Sequence, residues 1–96
     1  MEDLNRYRAP AQLLKALAHP VRLCIVHGLL REGTCNVNHI KECLNLPQST
    51  VSQQLAVLRA AGIVAGERRG TEVCYCLVDK RAAALVADLM GDGRRG

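Results

Sequence analysis

The sequence predicts a mainly α-helical fold with a small β-hairpin (α+β), in the order α-α-α-α-β-β-α. Three observations lead to this prediction. Apolar residues recur at helical spacing in five segments, two short alternating segments follow one another near residue 70, and prolines, glycines and asparagines separate the segments. The 96 residues, 49% of them hydrophobic, suffice for one core and therefore for a single domain over residues 1–96.

The first two predicted helices lie before Gly33. Pro10 suits the first turn of a helix, and leucines and alanines recur after it at helical spacing. The pair His19-Pro20 ends this helix, and Pro20 can open the next one with His19 as its capping residue. Gly33 then ends the second helix.

A three-residue turn separates the third and fourth predicted helices. Residues 37–44 have the spacing of a short amphipathic helix, which Asn36 or Asn38 can cap. The turn Asn-Leu-Pro follows, and Asn45 can take a left-handed conformation there. The fourth helix is expected from about residue 48 to residue 61, because a glycine follows.

A hairpin and a last helix complete the chain. IVAGERR and TEVCYCLV are typical of β-strands, and a turn around Arg69-Gly70 joins them. The Ala-rich segment DKRAAALVADLM predicts an amphipathic helix with Asp79 as its N-cap, and residues 91–96 are expected to be a frayed tail. Short helix, turn, helix and hairpin in this order predict a winged helix-turn-helix.

The first part of the fourth helix carries no charge. Val51, Leu55 and Leu58 share one face and must pack inward, so its polar residues project outward. Outward residues near the N-terminus of such a helix contact base edges in a major groove, and Gln and Ser can both bond with bases. The alternative is that they only solvate an exposed helix. The candidate base-contacting residues are Gln48, Ser49, Thr50, Ser52 and Gln53.

Charge and composition favour double-stranded DNA as the partner. The net charge of +4 permits a polyanion, and Arg68 and Arg69 on the hairpin are the candidate phosphate contacts. The chain has two tyrosines and no Phe or Trp, which argues against RNA and other single-stranded partners that stack bases on aromatic rings. No catalytic set or phosphate loop is visible, so an enzyme is not expected.

The sequence also predicts a cytoplasmic location without a membrane partner. No apolar run reaches the roughly 18 to 20 residues that cross a bilayer. The N-terminal segment MEDLNRYRAP begins with acidic residues and lacks the apolar stretch of a signal peptide.

The segment PQSTVSQQLAVLRAAGIVAGERRGTEVCYCL resembles the recognition helix and wing of the ArsR/SmtB family of bacterial transcriptional repressors. KALAHPVRLCIVHGLL resembles the beginning of that family's second helix, so the resemblance covers residues 13–78. It implies a homodimer, formed by the first and last helices, that binds a palindromic operator and releases it on meeting an inducer. It also implies base contacts by Gln48, Ser49, Ser52 and Gln53. Many relatives have His at the position of Gln53, which implies a different operator preference.

Composition supports the implied homodimer. The apolar residues near the two ends of the chain exceed what a thin winged fold can bury alone, although they could instead close the monomer core. These residues are Leu13, Leu14, Leu17, Leu85, Val86, Leu89 and Met90.

The chain departs from the metal-binding patterns of this family. Its metal sensors commonly carry Cys-x-Cys at the start of the third helix, where this chain has Asn36 and Asn38, followed by His39. Other members use Asp and His ligands along the last helix, but residues 79–90 contain no His. Neither zinc-type pattern is therefore present.

The five cysteines point instead to a different thiol site. Their odd number fits a disulfide scaffold badly. Cys74 and Cys76 share one strand face with Cα atoms about 6.5 to 7 Å apart, which suits a shared soft ion better than a disulfide. Cys35 is a candidate third ligand. His39 and Cys43 have a chelating spacing on a helix, but two ligands do not close a site.

These thiols predict release of DNA by a soft metal or metalloid, such as arsenite or cadmium, or by an oxidant or reactive sulfur species. Two alternatives remain open. One is a constitutive DNA-binding regulator whose cysteines are inert. The other is a small metal-binding or trafficking protein that uses a winged scaffold for protein contacts. Salt-sensitive binding to a palindromic duplex is expected of the thiol-responsive repressor and of the constitutive regulator, but not of the metal-binding or trafficking protein.

Overall fold

The computed structural model describes residues 3–91, which form five helices and one three-stranded sheet. The predicted combination of helices and a hairpin, as a winged helix-turn-helix, is confirmed. Residues 92–96 of the expected tail lie outside the described residues. The elements are α1 (Asn5–Leu17), α2 (Pro20–Glu32), β1 (Thr34–Asn36), α3 (Val37–Leu44), α4 (Gln48–Ala60), β2 (Val64–Arg69), β3 (Glu72–Leu77) and α5 (Lys80–Met90).

The predicted start of α1 at Pro10 is wrong. The helix begins at Asn5, and Pro10 lies inside it. Side-chain contacts stabilise the earlier turn: Asp3 Oδ1 accepts a hydrogen bond from the Asn5 backbone N–H at 3.0 Å, and Asn5 Oδ1 accepts one from Arg8 Nε at 2.9 Å. The proline therefore costs α1 one backbone hydrogen bond without ending it.

The sequence did not predict β1. This strand pairs antiparallel with β3, which makes β3 the central strand in the order β1-β3-β2. The register places Cys35 opposite Tyr75, and the hairpin register places Val64 opposite Leu77. A strand of three residues is too short to show a clear alternation. Its pairing also depends on a partner about 40 residues away in the chain.

Side-chain caps define the helix boundaries that the sequence predicted. His19 Nδ1 accepts a hydrogen bond from the Val21 N–H at 3.1 Å and begins α2. Asn36, rather than Asn38, caps α3 by accepting from the His39 N–H at 2.8 Å. Each cap satisfies a backbone donor that a helix start leaves without an internal partner.

The core is apolar and lies between α4, α2, α5 and the sheet. No polar or charged side chain is buried among residues 3–91. The fully buried side chains with the largest volumes come from four regions of the chain, so the core joins helices and sheet into one unit. They are Leu29, Leu55, Leu58, Ile63, Val26, Val51 and Val86.

Within residues 3–91, no single helix has the length and apolar character needed to cross a bilayer. Helices α1 and α2 reach that length and composition only when counted together, and they are bent by 95° at the break between them.

Replacing the cap of α5 should destabilise the protein by a measurable amount. Asp79 Oδ1 accepts hydrogen bonds from the backbone N–H groups of Arg81 at 2.8 Å and Ala82 at 3.0 Å. We expect Asp79→Ala to lower the free energy of unfolding by about 1 kcal/mol, within a range of about 0.5 to 2 kcal/mol. Urea denaturation measures this change.

Asp79→Asn is the matched control, because it keeps the acceptor oxygen and removes the charge. It should retain most of the stability. An equal loss in both variants would show that the negative charge near the helix N-terminus, rather than the hydrogen bonds, provides the stabilisation.

Candidate nucleic-acid interface and metal-ligand cluster

The turn between α3 and α4 sets the direction in which α4 leaves the core. Asn45 adopts the predicted left-handed conformation, with φ 57° and ψ 47°, and its N–H donates to the Lys41 carbonyl at 2.8 Å. Pro47 then holds an extended conformation at the start of α4. Residues 45–47 thus form the short turn between two helices that a helix-turn-helix requires.

Helix α4 has one buried face and one exposed polar face. Val51 and Leu58 are 0% exposed and Leu55 is 1% exposed, so the inward stripe is fully packed. Of the residues predicted to contact bases, four are exposed and Thr50 is half-buried. The exposed residues are Gln48, Ser49, Ser52 and Gln53. The helix therefore presents uncharged hydrogen-bonding groups to solvent over its first two turns.

An arginine on α2 is hydrogen-bonded to a side chain in the middle of α4. Arg22 Nε donates to the Ala16 carbonyl at 2.6 Å, and its Nη1 donates to Gln54 Oε1 at 2.8 Å. The contact joins the end of α1, the start of α2 and the middle of α4. No sequence pattern indicates this contact, because Arg22 and Gln54 are 32 residues apart.

The hairpin carries its arginines at the end furthest from the core. Arg69 pairs with Glu72 across the strands, and Gly70 makes the turn with φ 65°. Arg68 and Arg69 are both exposed. Arg69 Nη2 also contacts Glu67 Oε1 at 3.2 Å, but both side chains are largely exposed, so this ion pair is weak and easily exchanged for another anion.

Tyr75 connects the hairpin to α4. Its ring covers Gly66 on the neighbouring strand, where an added Cβ would lie 2.9 Å from Tyr75 Cε1. The same ring lines a shallow surface depression with Ser52, Ala56 and Arg59 of α4. The hairpin and the exposed face of α4 therefore belong to one continuous surface.

The sheet separates the cysteines into two groups. Cys74 and Cys76 lie on one face of β3, as predicted. Cys35 is directly opposite Tyr75, and residues directly opposite each other in an antiparallel pair project to the same face. Cys35 therefore lies on the other face, so the structure does not bring it together with Cys74 and Cys76 of the same chain.

Cys35 lies instead beside side chains from α2 and α3. Its Sγ donates to Glu32 Oε1 at 3.4 Å, and the same oxygen lies 3.1 Å from His39 Nε2. Cys43 Sγ lies 3.6 Å from that histidine nitrogen. The ligand atoms of Glu32, Cys35 and His39 are all within 4.8 Å of one another. Together, Glu32, Cys35, His39 and Cys43 are called the α2–α3 cluster below.

The environment of Cys35 favours the protonated thiol. Burial, the hydrogen bond to Glu32 and the negative charge of that carboxylate raise the pKa of Cys35 to about 11. Redox-sensing cysteines have the opposite shift, because the thiolate is the reactive form. The shift therefore gives no support to direct oxidation of Cys35.

The sequence indicated only part of the α2–α3 cluster. The spacing of His39 and Cys43 suggested chelation, and Cys35 was a candidate ligand, but Glu32 was missed. Glu32 ends α2, and the turn at Gly33 together with strand β1 brings it back toward α3. The pattern Glu-x2-Cys-x3-His-x3-Cys is the signal that could have marked the group.

The apolar residues near the chain ends are divided between core and surface. Leu13, Leu17 and Val86 are buried in the monomer. The others are exposed on α1 and α5: Leu14 56%, Leu85 37%, Leu89 68% and Met90 45%. Leu14 and Leu85 also line one groove between the two helices. The monomer alone therefore leaves a clustered apolar surface, of the kind that marks protein contacts.

Known proteins are similar to this chain in sequence. A profile described as "Helix-turn-helix domain" matches residues 17–67. The chain is 48% identical over 80 residues to the HTH-type transcriptional repressor SmtB of Mycobacterium tuberculosis, covering 83% of this chain and 58% of that protein. It is 43% identical over 86 residues to the biofilm growth-associated repressor of Xylella fastidiosa, covering 88% of this chain and 75% of that protein.

Solved structures agree with these sequence matches. The transcriptional repressor PagR of Bacillus anthracis has a TM-score of 0.82 at 36% identity, with 91% of this chain and 99% of that chain covered. The antimony-specific transcriptional repressor AntR has a TM-score of 0.77 at 28% identity, with 82% and 71% covered. Sequence and fold thus agree, and the chain belongs to the ArsR/SmtB family of winged helix-turn-helix transcriptional repressors.

Proposed function

We propose that this protein represses transcription by binding a palindromic operator as a homodimer, and that an effector acting on its cysteines releases the DNA. One observation carries the proposal: α4 is anchored by a fully buried stripe and exposes only uncharged hydrogen-bonding side chains over its first two turns. The relatives named as repressors support it. The chain covers 58% of the length of the mycobacterial relative, so the activity of that whole protein is transferred only as part of this proposal.

In the proposed complex, α4 enters the major groove with its N-terminal end leading. Ser49 and Gln53 are four residues apart on the exposed face, so both can reach base edges in the same groove. Gln53 is suited to the N6 and N7 groups of adenine, and Ser49 to several bases. Gln48, Thr50 and Ser52 flank them and would contact neighbouring bases or backbone. Arg22 fixes α4 from behind through Gln54, which limits the number of orientations the helix can sample.

The hairpin would hold the backbone next to the groove. Arg68 and Arg69 are exposed, and Arg69 can exchange its contact with Glu67 for a phosphate. Tyr75 ties this hairpin to α4. The base-contacting and phosphate-contacting residues would therefore approach the duplex together.

The homodimer would form through α1 and α5. Their exposed leucines and Met90 provide an apolar surface, while Ala84 in the same groove allows close approach of a second chain. A two-fold symmetric dimer would present two copies of α4, which matches the symmetry of a palindromic site.

The proposed release involves thiols at one of two places. Cys74 and Cys76 lie next to each other on the face of β3 that is turned away from Cys35, and they could share a soft ion such as arsenite or cadmium or react with an oxidant. The α2–α3 cluster offers a second thiol group. The similarity to the antimony-specific repressor AntR favours a metal or metalloid as effector. Such a regulator would act in the cytoplasm.

Base contacts can be tested on a duplex that the protein itself selects from a randomised double-stranded pool. Ser49→Ala and Gln53→Ala should each weaken binding to the selected duplex by about 1 to 3 kcal/mol, because a base-edge hydrogen bond is lost, and should leave binding to random duplex unchanged. Fluorescence anisotropy measures both affinities.

Gln12→Ala is the control, since Gln12 is an exposed glutamine on α1. It should bind both duplexes like the unmodified protein. Equal losses on selected and random duplex would refute base contacts by α4. Failure to select any duplex would favour the metal-binding or trafficking alternative.

The phosphate contacts of the hairpin can be tested by salt dependence. Arg68→Ala and Arg69→Ala should each reduce the slope of log affinity against log salt concentration by about 0.9, because each phosphate contact releases about one counterion. Arg31→Ala, a change of an exposed arginine at the end of α2, should leave the slope unaltered. Unchanged slopes in both hairpin variants would show that the wing does not touch the duplex.

The dimer interface can be tested with Leu89→Asp. Leu89 is 68% exposed, so the folded monomer should tolerate the change, whereas a buried aspartate in the interface should dissociate the dimer. Sedimentation equilibrium should give the mass of one chain for this variant and of two for the unmodified protein. Val78→Asp, at a residue that is 52% exposed outside α1 and α5, should remain dimeric. A Leu89→Asp dimer would exclude α5 from the interface.

A further inference from the structure

We propose that the α2–α3 cluster is a four-ligand site for a divalent ion of the zinc class, and that the bound ion regulates DNA binding. The ligands are Glu32, Cys35, His39 and Cys43. The regulatory part of this inference rests on the proposed repressor function, whereas ion binding itself does not.

Three separations within the cluster are close to those between the ligands of a tetrahedral ion. Zinc binds sulfur at about 2.3 Å and nitrogen or oxygen at about 2.0 to 2.2 Å, so neighbouring ligand atoms lie about 3.3 to 3.8 Å apart. The separations in the protein are 3.1 Å from Glu32 Oε1 to His39 Nε2, 3.4 Å from Cys35 Sγ to Glu32 Oε1, and 3.6 Å from Cys43 Sγ to His39 Nε2. The ligand atoms of Glu32, Cys35 and His39 already lie within 4.8 Å of one another, and Cys43, whose Sγ is near His39, completes the site by turning toward them.

The types of ligand select the class of ion. Two thiols, one imidazole and one carboxylate form the mixed sulfur, nitrogen and oxygen set that zinc and its heavier relative cadmium prefer. Magnesium and calcium prefer oxygen ligands alone, and only one of the four residues offers oxygen. Cys35 and Cys43 bind as thiolates, so loading the ion releases their protons to solvent.

The α2–α3 cluster is open to solvent on one side and bordered by apolar residues on the other. The cluster opens into a cavity of about 100 Å³, whose other walls include Ile25, Leu29 and Leu44. That space holds an ion and a few waters but is small for an organic effector. The side chains of His39 and Glu32 are 48% and 52% exposed, so an ion can reach them directly from solvent.

The position of the site connects it to both predicted DNA-contacting elements. Its ligands come from the end of α2, from β1 and from α3. Helix α3 leads through the Asn45 turn into α4, and β1 pairs with β3 of the hairpin. An ion that joins these three elements therefore restrains α4 and the wing at the same time. The ion then changes the affinity for DNA to the extent that it binds more tightly to one arrangement of α4 and the wing, and that this arrangement binds DNA differently.

The site differs from the pair of thiols on the wing. Cys74 and Cys76 lie on the opposite face of the sheet from Cys35. The two thiol groups can therefore be tested separately by substitution.

Ion binding can be tested by titrating the metal-free full chain with Co²⁺, which takes the coordination of zinc and absorbs visible light. We expect one Co²⁺ per chain, the intense ligand-field bands of a tetrahedral ion and a thiolate-to-cobalt charge-transfer band. Zn²⁺ should then displace the cobalt and abolish these bands. The absence of charge-transfer absorption, or octahedral bands alone, would overturn the proposed site.

Substitutions identify the ligands. Cys35→Ser and His39→Gln should each weaken Co²⁺ binding by at least about tenfold. His39→Gln is included because His39 is exposed, so this variant should fold even if the buried Cys35→Ser does not. Glu32→Gln should weaken Co²⁺ binding, but the thiolate-to-cobalt charge-transfer band should remain because both thiols are still present. Cys24→Ser is the matched control, since Cys24 lines the same cavity without belonging to the ligand set. Unchanged binding in His39→Gln, or a loss of binding in Cys24→Ser, would contradict the assignment.

Regulation is tested on the selected duplex. Saturating Zn²⁺ should change the affinity of the unmodified protein by about 5- to 150-fold. The double variant Cys74→Ser/Cys76→Ser should respond to the same extent, and His39→Gln should not respond. Tetrahedral Co²⁺ binding without any change in DNA affinity would refute regulation and leave the site standing. If no duplex is selected, the repressor function fails, while the cobalt spectra still decide whether the ion site exists.

Discussion

The packing of one face of α4 determines which side chains this helix presents to solvent. Val51, Leu55 and Leu58 are completely or almost completely buried, so the helix cannot rotate without exposing them to water. Each buried leucine of this kind contributes about 1.5 to 3 kcal/mol through burial alone. The opposite face is consequently fixed toward solvent, and Arg22 adds a polar tie through Gln54. The orientation of the polar residues is thus a consequence of core packing.

This constraint explains why the charges lie beside α4 rather than on its first turns. Uncharged Gln and Ser side chains can discriminate bases by the pattern of donors and acceptors, and arginines can in addition bind phosphates of any sequence. The hairpin places Arg68 and Arg69 at its end, on a surface that Tyr75 joins to α4. In the proposed complex, base selectivity and general affinity for DNA would therefore depend on different parts of one surface.

The central position of β3 has a second consequence for the thiols. Because β1 pairs with β3, the buried Cys35 faces the core side of the sheet and Cys74 and Cys76 face away from it. The turn at Gly33 brings Glu32 next to Cys35, and α3 adds His39 near its start and Cys43 near its end. Residues from α2, β1 and α3 thus meet at one point, and β1 and α3 are directly connected to the wing and to α4. This arrangement makes the α2–α3 cluster a natural place for an ion to influence DNA binding.

Features that depend on neighbouring residues could be predicted from the sequence alone, whereas features that depend on distant pairings could not. The periodicity of α4, the caps at His19, Asn36 and Asp79 and the left-handed Asn45 involve contacts within a few positions. The order of these predicted elements indicated the winged architecture, and the family resemblance agreed with it. Local contacts near Asn5 were nevertheless missed, so α1 begins earlier than Pro10 suggested.

Three other features arise from contacts between separate elements. They are the hydrogen bond between Arg22 and Gln54, the strand β1, and the grouping of Cys35 with Glu32 rather than with Cys74. Short polar segments such as Thr34–Asn36 carry no periodicity from which these contacts can be inferred. A difference of one residue in strand register would reverse the face on which each cysteine lies, because side chains alternate along a strand.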